Sequence, residues 1–438
     1  MLRGPLLVVG VLLLAGCRSA EPARPNVVLI LVDTLRSDAL STYGNPRNTS
    51  PHLDELARRC TLFEHVIAPS SWTKTSMASI FTSRNPLRHG VRGVKDVLPA
   101  KLSTLAGAFA AAGYRTIGVS TNPWVTEEFG FRRGFERYKF VHFATAGQVN
   151  QIALSMLDRS KDGRPVFLYV HYMDVHGPYT PEKRFFDAPP LDVPGRGVIG
   201  DTELEDLYRN GQIDPNAVEV PKRLHARYEA EVQQLDADIG QLSEALDARG
   251  ILAGGVELVT ADHGEGFGEH GPSSHGDTLY PEVLRVPAIL CGPGLQPGER
   301  VPQQVRSIDF APTLLALAGI APPPDFEGRA LLPPSGEHAT DRVAVSAVGL
   351  NDAIPELDYV SVTTPAYLLI RERKSNDVEL YDLGADPQAL HALSPDDPEV
   401  ERLSALVGPE ESRTGEQVEL DPATRERLRA LGYLKDEH

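Results

Sequence analysis

The chain has 438 residues, and 60 acidic against 43 basic side chains leave a formal net charge of −17. A surface this acidic excludes nucleic acid and extended anionic partners, although a local cationic pocket is compatible with it. The length suffices for one large α/β domain with a smaller one appended.

In chain order, Met1-Leu2-Arg3 is a short basic start, residues 6–15 are an apolar run, and Leu14-Ala15-Gly16-Cys17 closes it. That layout is an export signal, and the run is too short for a bilayer span of about 20 residues. The ending resembles the lipobox of bacterial lipoproteins. It implies a signal peptide over residues 1–16, lipidation of Cys17, palmitate included, and a tether over residues 17–25. The expected location is the cell envelope, on a bacterial membrane and outside the cytoplasm. No second segment approaches membrane-spanning length. The remaining cysteines, Cys60 and Cys291, could pair in an oxidising compartment, but isolated cysteines in apolar runs are more often buried free thiols, which is the expectation.

Residues 25–33, PNVVLILVD, read as a buried parallel strand that delivers Asp33 to its C-terminal edge, where sites form in open α/β sheets. YRTIGVSTN (114–122), PVFLYVHYMDVH (165–176) and GVELVTADHGE (255–265) repeat that grammar. LSTLAGAFAAAG (102–113) reads as a helix closed by Gly113. From Leu224, the residues Tyr228, Val232, Leu235, Ile239, Leu242 and Leu246 recur at steps of three and four. They predict the packing face of a long helix, with Asp236 and Asp238 in solvent. Between Phe186 and Pro221, proline, glycine and acid without periodicity predict an irregular, passive surface insertion near the site. Past Ala321-Pro322-Pro323-Pro324, the runs RVAVSAVG, DYVSVTT, AYLLIRE and VELYDL predict a small antiparallel sheet, and RERLRALGYL predicts an amphipathic terminal helix.

An aspartate at a strand end is often a helix cap, and a buried histidine is often a core residue. Asp33, Asp262 and His263 differ in that all three stand at ends of predicted parallel strands, where one pocket could collect them into a divalent-metal site. Thr73 opens a predicted helix whose free amides attract an anion, and a hydroxyl beside a divalent cation becomes a useful nucleophile. The alternative is that Thr73 only caps that helix. His176 and His275 could each bind an oxyanion or protonate a leaving group, or serve structure alone. Lys74 and Asn122 are further candidates for substrate contact.

Taken together, PNVVLILVDTLRSD, TSRNPLRHG, FLYVHYMDVHGPYTP, TADHGEGFGEHG, HGDTLYPEVLRVPAIL, SIDFAPTLLALAGI, LYDLGADP and LRALGYL resemble the sulfatase branch of the alkaline phosphatase superfamily. The resemblance runs from about residue 25 to the C-terminus. It implies an α/β fold with a doubly wound, mostly parallel sheet over residues 26–320, a smaller antiparallel-sheet α+β subdomain over residues 321–438, and a divalent metal that holds the nucleophile. Formylglycine-dependent sulfatases carry Cys or Ser in C/S-x-P-S-R, whereas the corresponding run is Thr73-Lys74-Thr75-Ser76-Met77. The early acidic pair is Asp33-Thr34, the late pair is Asp262-His263, the later lysine is matched by His275, and the G-K-W-H segment is replaced by Ser120-Thr121-Asn122-Pro123-Trp124.

These replacements are similar to phosphonate monoester hydrolases, which share the late Asp-His pair, and to phosphoethanolamine transferases and lipoteichoic acid synthases, which use threonine. That likeness implies Thr73 as nucleophile and metal ligand together with Asp33, Asp262 and His263, and His176 and His275 as phosphate and leaving-group contacts. The expected function is metal-dependent cleavage of a phosphate, phosphodiester or phosphonate ester of a small molecule, surface glycan or lipid. Mixed ligation favours zinc or manganese, and family analogy keeps calcium open. The alternatives are a sulfatase working without formylglycine, a phospho-group transferase acting on a cell-surface glycan or lipid, and a non-catalytic binding lipoprotein.

Overall fold

The computed structural model describes residues 24–430 and 434, apart from 160–161, 194–195, 210, 214–218, 272–273, 333–340, 352–353 and 409–416. The expected signal peptide and Cys17 lie outside the described residues. Strands β1 (Val27–Val32), β2 (Thr61–Ile67), β3 (Arg115–Ser120), β4 (Arg137–Phe140) and β5 (Val166–Tyr172) are followed by a short hairpin of β6 (Leu191–Val193) and β7 (Gly197–Ile199). Then come β8 (Val256–Ala261), β9 (Arg285–Cys291) and β10 (Arg300–Arg306). Eight of these strands form one sheet in the order β10-β2-β9-β8-β1-β5-β3-β4. Every neighbouring pair is parallel except those made by β9, which runs against both β2 and β8.

The helices are α1 (Pro51–Arg59), α2 (Thr73–Thr82), α3 (Pro86–His89), α4 (Leu105–Ala111), α5 (Ala146–Asp158), α6 (Asp201–Arg209), α7 (Glu219–Asp247), α8 (Pro281–Leu284), α9 (Phe310–Leu317), α10 (Pro398–Ser404) and α11 (Pro422–Ala430). α1 and α5 pack with α7 in one layer, while α2, α4 and α9 pack together in another. This is the doubly wound α/β arrangement, and it explains why the central strands read as unbroken apolar runs: with both faces covered, every residue of β1 is buried. α4 begins at Thr104, whose Oγ1 accepts from Gly107 N, and the chain leaves it through Gly113 at φ +86°, as the sequence predicts. The apolar stripe of α7, from Tyr228 to Leu246, is buried throughout.

A separate antiparallel sheet, β11 (Ala344–Asn351), β12 (Ile354–Thr363), β13 (Tyr367–Glu372) and β14 (Val378–Asp382), matches the four short runs near the C-terminus. Its own core of Val362, Leu369 and Leu380 is closed by Leu403 of α10.

Three expectations are corrected. Asp236 is buried, not solvated: its two carboxylate oxygens accept from the free amides of His52 and Leu53 in the first turn of α1, each at 2.9 Å. Asp238 is half-buried. Cys60 and Cys291 form a disulfide rather than two thiols. The antiparallel pairing of β2 with β9 sets Thr61 opposite Leu290, which brings the flanking cysteines together across 231 residues of sequence. Finally, the segment after Phe186 is not irregular. It forms β6, β7 and α6, and α6 reaches the site described next.

Candidate active site

The site lies at the C-terminal ends of the central strands. Asp33 follows β1, and its amide donates to Tyr172 O at the end of β5, fixing the two strand ends together. Asp262 and His263 follow β8, Asn122 follows β3, and Thr73 is the first residue of α2. All five side chains are wholly buried. Trp72 occupies the cap position of α2, so Thr73 is not the cap, and its hydroxyl points to the cluster instead. Thr73 Oγ1 lies 3.2 Å from His263 Nε2 and 3.4 Å from Asn122 Nδ2. Asn122 Nδ2 also donates to Asp33 Oδ2 at 2.5 Å.

Two buried carboxylates this close cannot both carry charge without a cation. Burial alone would raise the Asp33 carboxyl, but His171, His176 and His263 outweigh it and hold it below the usual range. Burial, followed by the charge on Asp33, pushes Asp262 up. Asp262 Oδ1 accepts from His263 N at 2.9 Å and from Thr34 N at 3.3 Å. Thr34 adopts the left-handed region at φ 56°, strained for a β-branched residue, and this turn lets its amide point at Asp262.

The remaining oxygens fit a metal. Asp33 Oδ1, Asp262 Oδ2 and His171 Nε2 are buried and lack any hydrogen-bond partner. Asp33, His171 and Asp262 offer ligand atoms that all lie within 4.8 Å of one another. His263, the nitrogen ligand expected from the sequence, has its Nε2 3.8 Å from Asp33 Oδ1 and 3.5 Å from Asp262 Oδ2. Such orphaned donors are costly in a dry interior unless a cation is available to them.

His176 and His275 form the outer wall, with ring centroids 4.9 Å apart, and the His275 ring lies 4.8 Å from that of His263, tilted 37° to it. Burial lowers His176 to about 4, so it is neutral at pH 7, and its Nδ1 donates to Gly177 O. His275 Nδ1 sits 3.0 Å from Glu265 Oε1. Glu265 is wholly buried and stays ionised, because His275 and Arg209 outweigh the burial that would raise it. Tyr179 donates its hydroxyl to the other Glu265 oxygen at 2.8 Å.

Arg209 of α6 bonds Ser274 Oγ at 3.1 Å and pairs with Glu205 at 2.8 Å, its guanidinium lying 3.6 Å from Glu265. This pair covers Gly177 so closely that a Cβ there would fall 2.0 Å from Glu205 Oε1. Lys74 is not brought into the cluster. Its ammonium donates to the carbonyls of Gly93 and Val94 and lies 3.7 Å from the Phe129 ring centroid. A lysine one residue along a helix from Thr73 points to a different side of it, which its position in the motif did not reveal.

His171, Glu265, Tyr179, Glu205 and Arg209 were not singled out from the sequence. A signal existed for His171: Tyr169 and His171 are polar atoms on one face of an otherwise apolar buried strand. No comparable signal marked Arg209, because α6 carries charge on most of its surface.

With this fold and site, the chain belongs to the sulfatase family, ester hydrolases of the alkaline phosphatase superfamily that typically use a divalent metal. The family model described as Sulfatase matches residues 25–320, and that of the N-sulphoglucosamine sulphohydrolase C-terminal region matches residues 268–410. The chain is 24% identical over 452 residues to the ulvan-active sulfatase of Formosa agariphila, covering 94% of this chain and 82% of that one. An enzyme solved in complex with its substrate D-glucosamine-2-N,6-O-disulfate superposes with a TM-score of 0.73 at 18% identity, over 88% of this chain and 97% of its own. The phosphonate monoester hydrolase of Silicibacter pomeroyi gives a TM-score of 0.70 at 18% identity, over 87% and 94%.

Proposed function

We propose that the chain is a metal-dependent hydrolase that cleaves a phosphate, phosphodiester or phosphonate ester, with Thr73 as nucleophile. The observation that supports this most directly is the Thr73 hydroxyl, buried at the N-terminus of α2 between His263 and Asn122 where no cysteine or serine stands. A formylglycine hydrate expels sulfate by breaking its own C–O bond, which a threonine ester cannot do. A phosphothreonine needs no such route, since water opens it by attack at phosphorus.

Asp33 and Asp262, with a buried imidazole, would hold a divalent cation, and zinc or manganese suits mixed oxygen and nitrogen donors better than calcium. When bound, that cation supplies positive charge to the transferring group as negative charge develops. The chain's own groups supply the rest. His263 Nδ1 donates to Gly264 O at 2.8 Å, which leaves Nε2 to accept the Thr73 proton. As Oγ1 bonds to phosphorus, the bond to the leaving oxygen breaks, and His275, oriented by Glu265, gives its Nε2 proton to that oxygen. The free amides of the first turn of α2 stabilise the equatorial oxygens. Water then bonds to phosphorus, His275 Nε2 takes its proton, the phosphorus–Oγ1 bond breaks, and Thr73 recovers its proton from His263. His176, neutral, offers Nε2 as an acceptor to a hydroxyl of substrate or product.

The substrate class is an ester of a small molecule, a surface glycan or a lipid. Lipid anchoring at Cys17 in the cell envelope is part of this proposal, and the Cys60–Cys291 disulfide supports an oxidising compartment.

Initial rates on matched aryl phosphate, phosphodiester, phosphonate and sulfate esters, with zinc, manganese and calcium each restored after chelation, test the reading. Phosphorus esters should be turned over fastest, and Thr73→Ala should cut kcat by roughly 10⁴–10⁶-fold without loss of fold. A sulfate ester outpacing every phosphorus ester makes the enzyme a sulfatase that works without formylglycine. Product that forms only with an added acceptor makes it a transferase.

A further inference from the structure

The segment that leads to Thr73 and the loop that carries His275 meet along one seam. Ser71 Oγ donates to Thr278 O at 2.6 Å, which ties the approach to α2 to the stretch after His275. Trp72 stands in that seam. Its amide donates to Ser70 Oγ at 3.2 Å and its carbonyl accepts from Ser76 N at 2.9 Å, so the backbone of the cap position is fixed on both sides.

The Trp72 indole is 3% exposed and packs edge-on to Trp124, with ring centroids 5.1 Å apart at 79°. Trp124 stands two residues after Asn122, so this contact sets one side of the indole beside the site. On the other side, a Cβ on Gly276 would stand 3.9 Å from Trp72 Cδ1. The pyrrole edge, which carries Nε1, therefore faces the residue next to His275. Nε1 is buried there without a hydrogen-bond partner. The hydroxyls of Tyr43, Tyr114 and Tyr138, by contrast, donate to the carbonyls of Phe63, Pro25 and Val125. A buried donor left without an acceptor costs the fold stability, and beside a reacting centre such a group calls for a functional explanation.

We propose that Trp72 is a substrate-binding residue whose indole N–H donates to an oxygen of the leaving alcohol, so that the site selects esters of alcohols bearing a second oxygen one carbon from the ester. This rests on the reading above, in which His275 serves the leaving oxygen, and narrows its substrate class. An indole N–H only donates and carries no charge. The equatorial oxygens of the transferring group have the free amides of α2, whereas the Trp72 donor lies on the His275 side, where the leaving alcohol sits. A hydroxyl or ether oxygen on that alcohol supplies the missing acceptor. Sugars and glycerol carry one, and a plain alkyl alcohol does not. An alcohol without it occupies the same space and leaves the N–H unpaired, which is how a site rejects an analogue one hydroxyl short.

The test compares the propyl, glyceryl and glucos-6-yl esters of whichever class, phosphate, phosphonate or sulfate, full-length wild type hydrolyses fastest. The glyceryl or glucosyl ester should exceed the propyl ester by about 10–100-fold in kcat/KM, the scale of one buried donor left without its acceptor. The larger of the two ratios tells a glycerolipid source from a glycan. In Trp72→Phe both ratios should fall to within about threefold of one. A structural role for the indole would slow all three esters together, so ratios that survive the substitution overturn the proposal, as does a wild type that shows no preference. A sulfate class that proves fastest overturns the phosphorus reading, and the three sulfates then decide the role of Trp72 separately.

Should Trp72→Phe misfold, the indole itself reports. The chain has two tryptophans, so indole-¹⁵N-labelled protein gives two Nε1–H signals, and a Trp124→Phe variant identifies that of Trp72. Glycerol 3-phosphate or glucose 6-phosphate should move the Trp72 proton downfield, as a new hydrogen bond does, and propyl phosphate should not. A signal that responds equally to all three, or to none, overturns the assignment.

Discussion

Two parts of the molecule reach one pocket by different routes. The ends of β1 and β8 bring Asp33, Asp262 and His263, wholly buried, with two carboxylate oxygens left unpaired. The segment between β5 and α7 brings Glu205 and Arg209 on α6, paired with each other at 2.8 Å, the arginine side chain 26% exposed. Groups held by the sheet register are stored in an unsatisfied state, which is what a reacting centre requires. Groups delivered by the insertion arrive already paired, which suits orientation of Glu265 and, through it, His275. On the proposed function, chemistry falls to the strand ends and tuning to α6.

Asp33→Asn breaks the comparison most sharply if it is wrong. The substitution removes a charged oxygen beside Thr73 and should lower kcat by about 10²–10³-fold, the scale for losing one preorganised electrostatic partner. It also removes the charge that opposes ionisation of Asp262, so the chelated variant should melt no lower than chelated wild type. Retained activity would detach the strand-end carboxylates from the chemistry.

The effect of Arg209→Ala should be smaller. Glu265 would lose the charge of Arg209, and Glu205 its ion pair with it, so kcat should fall about 10–100-fold with zinc affinity unchanged. The loss should be greatest for substrates with poor leaving groups, because those depend most on an aligned His275. An equal loss across leaving groups would reduce α6 to a structural cover. Unchanged rates would return it to the passive insertion that the sequence suggests.

The same contrast explains what was legible in the sequence. Four apolar runs ending in polar residues are enough to place a parallel sheet and its active edge, because a strand covered on both faces has no alternation to confuse the reading. Thr73, Asp33, Asp262, His263 and Asn122 follow from that edge, and His176 and His275 form its wall. His171 was passed over because a histidine inside a buried strand looks like core until its unpaired nitrogen beside Asp33 and Asp262 is seen. The disulfide was hidden because pairing across 231 residues depends on β9 running against its neighbours. α6 was hidden because its few apolar residues are flanked by proline, glycine and acid. Lys74 shows the converse, a charged residue beside the nucleophile in sequence that spends its charge on backbone carbonyls and an aromatic ring.

His89, at the end of α3 within the TSRNPLRHG segment, tests whether motif residues divide in the same way. Its Nδ1 accepts from Val91 N at 3.0 Å, and its Nε2 meets Ser79 Oγ at 2.8 Å. Protonating Nδ1 would set two N–H groups against each other, so the buried ring must stay neutral. Burial, reinforced by Arg92 and Arg84, lowers it to about 3, against an ordinary value of 6.5. A depressed histidine contributes stability that is complete above the unfolded value and is lost as pH falls. Between pH 6.5 and about 3 the unfolded chain binds the proton and the folded chain does not. At pH 5.5 the cost is about 1.4 kcal/mol, and it does not depend on how far below that pH the folded value lies. Unfolding free energies from urea curves at pH 7.5 and 5.5 should therefore converge in His89→Gln relative to wild type by about that amount, with kcat at pH 7.5 little changed. An undiminished acid slope in the variant would mean that the neutral His89 is not what holds α2 to α3, and a large loss of kcat would move His89 from the frame into the chemistry.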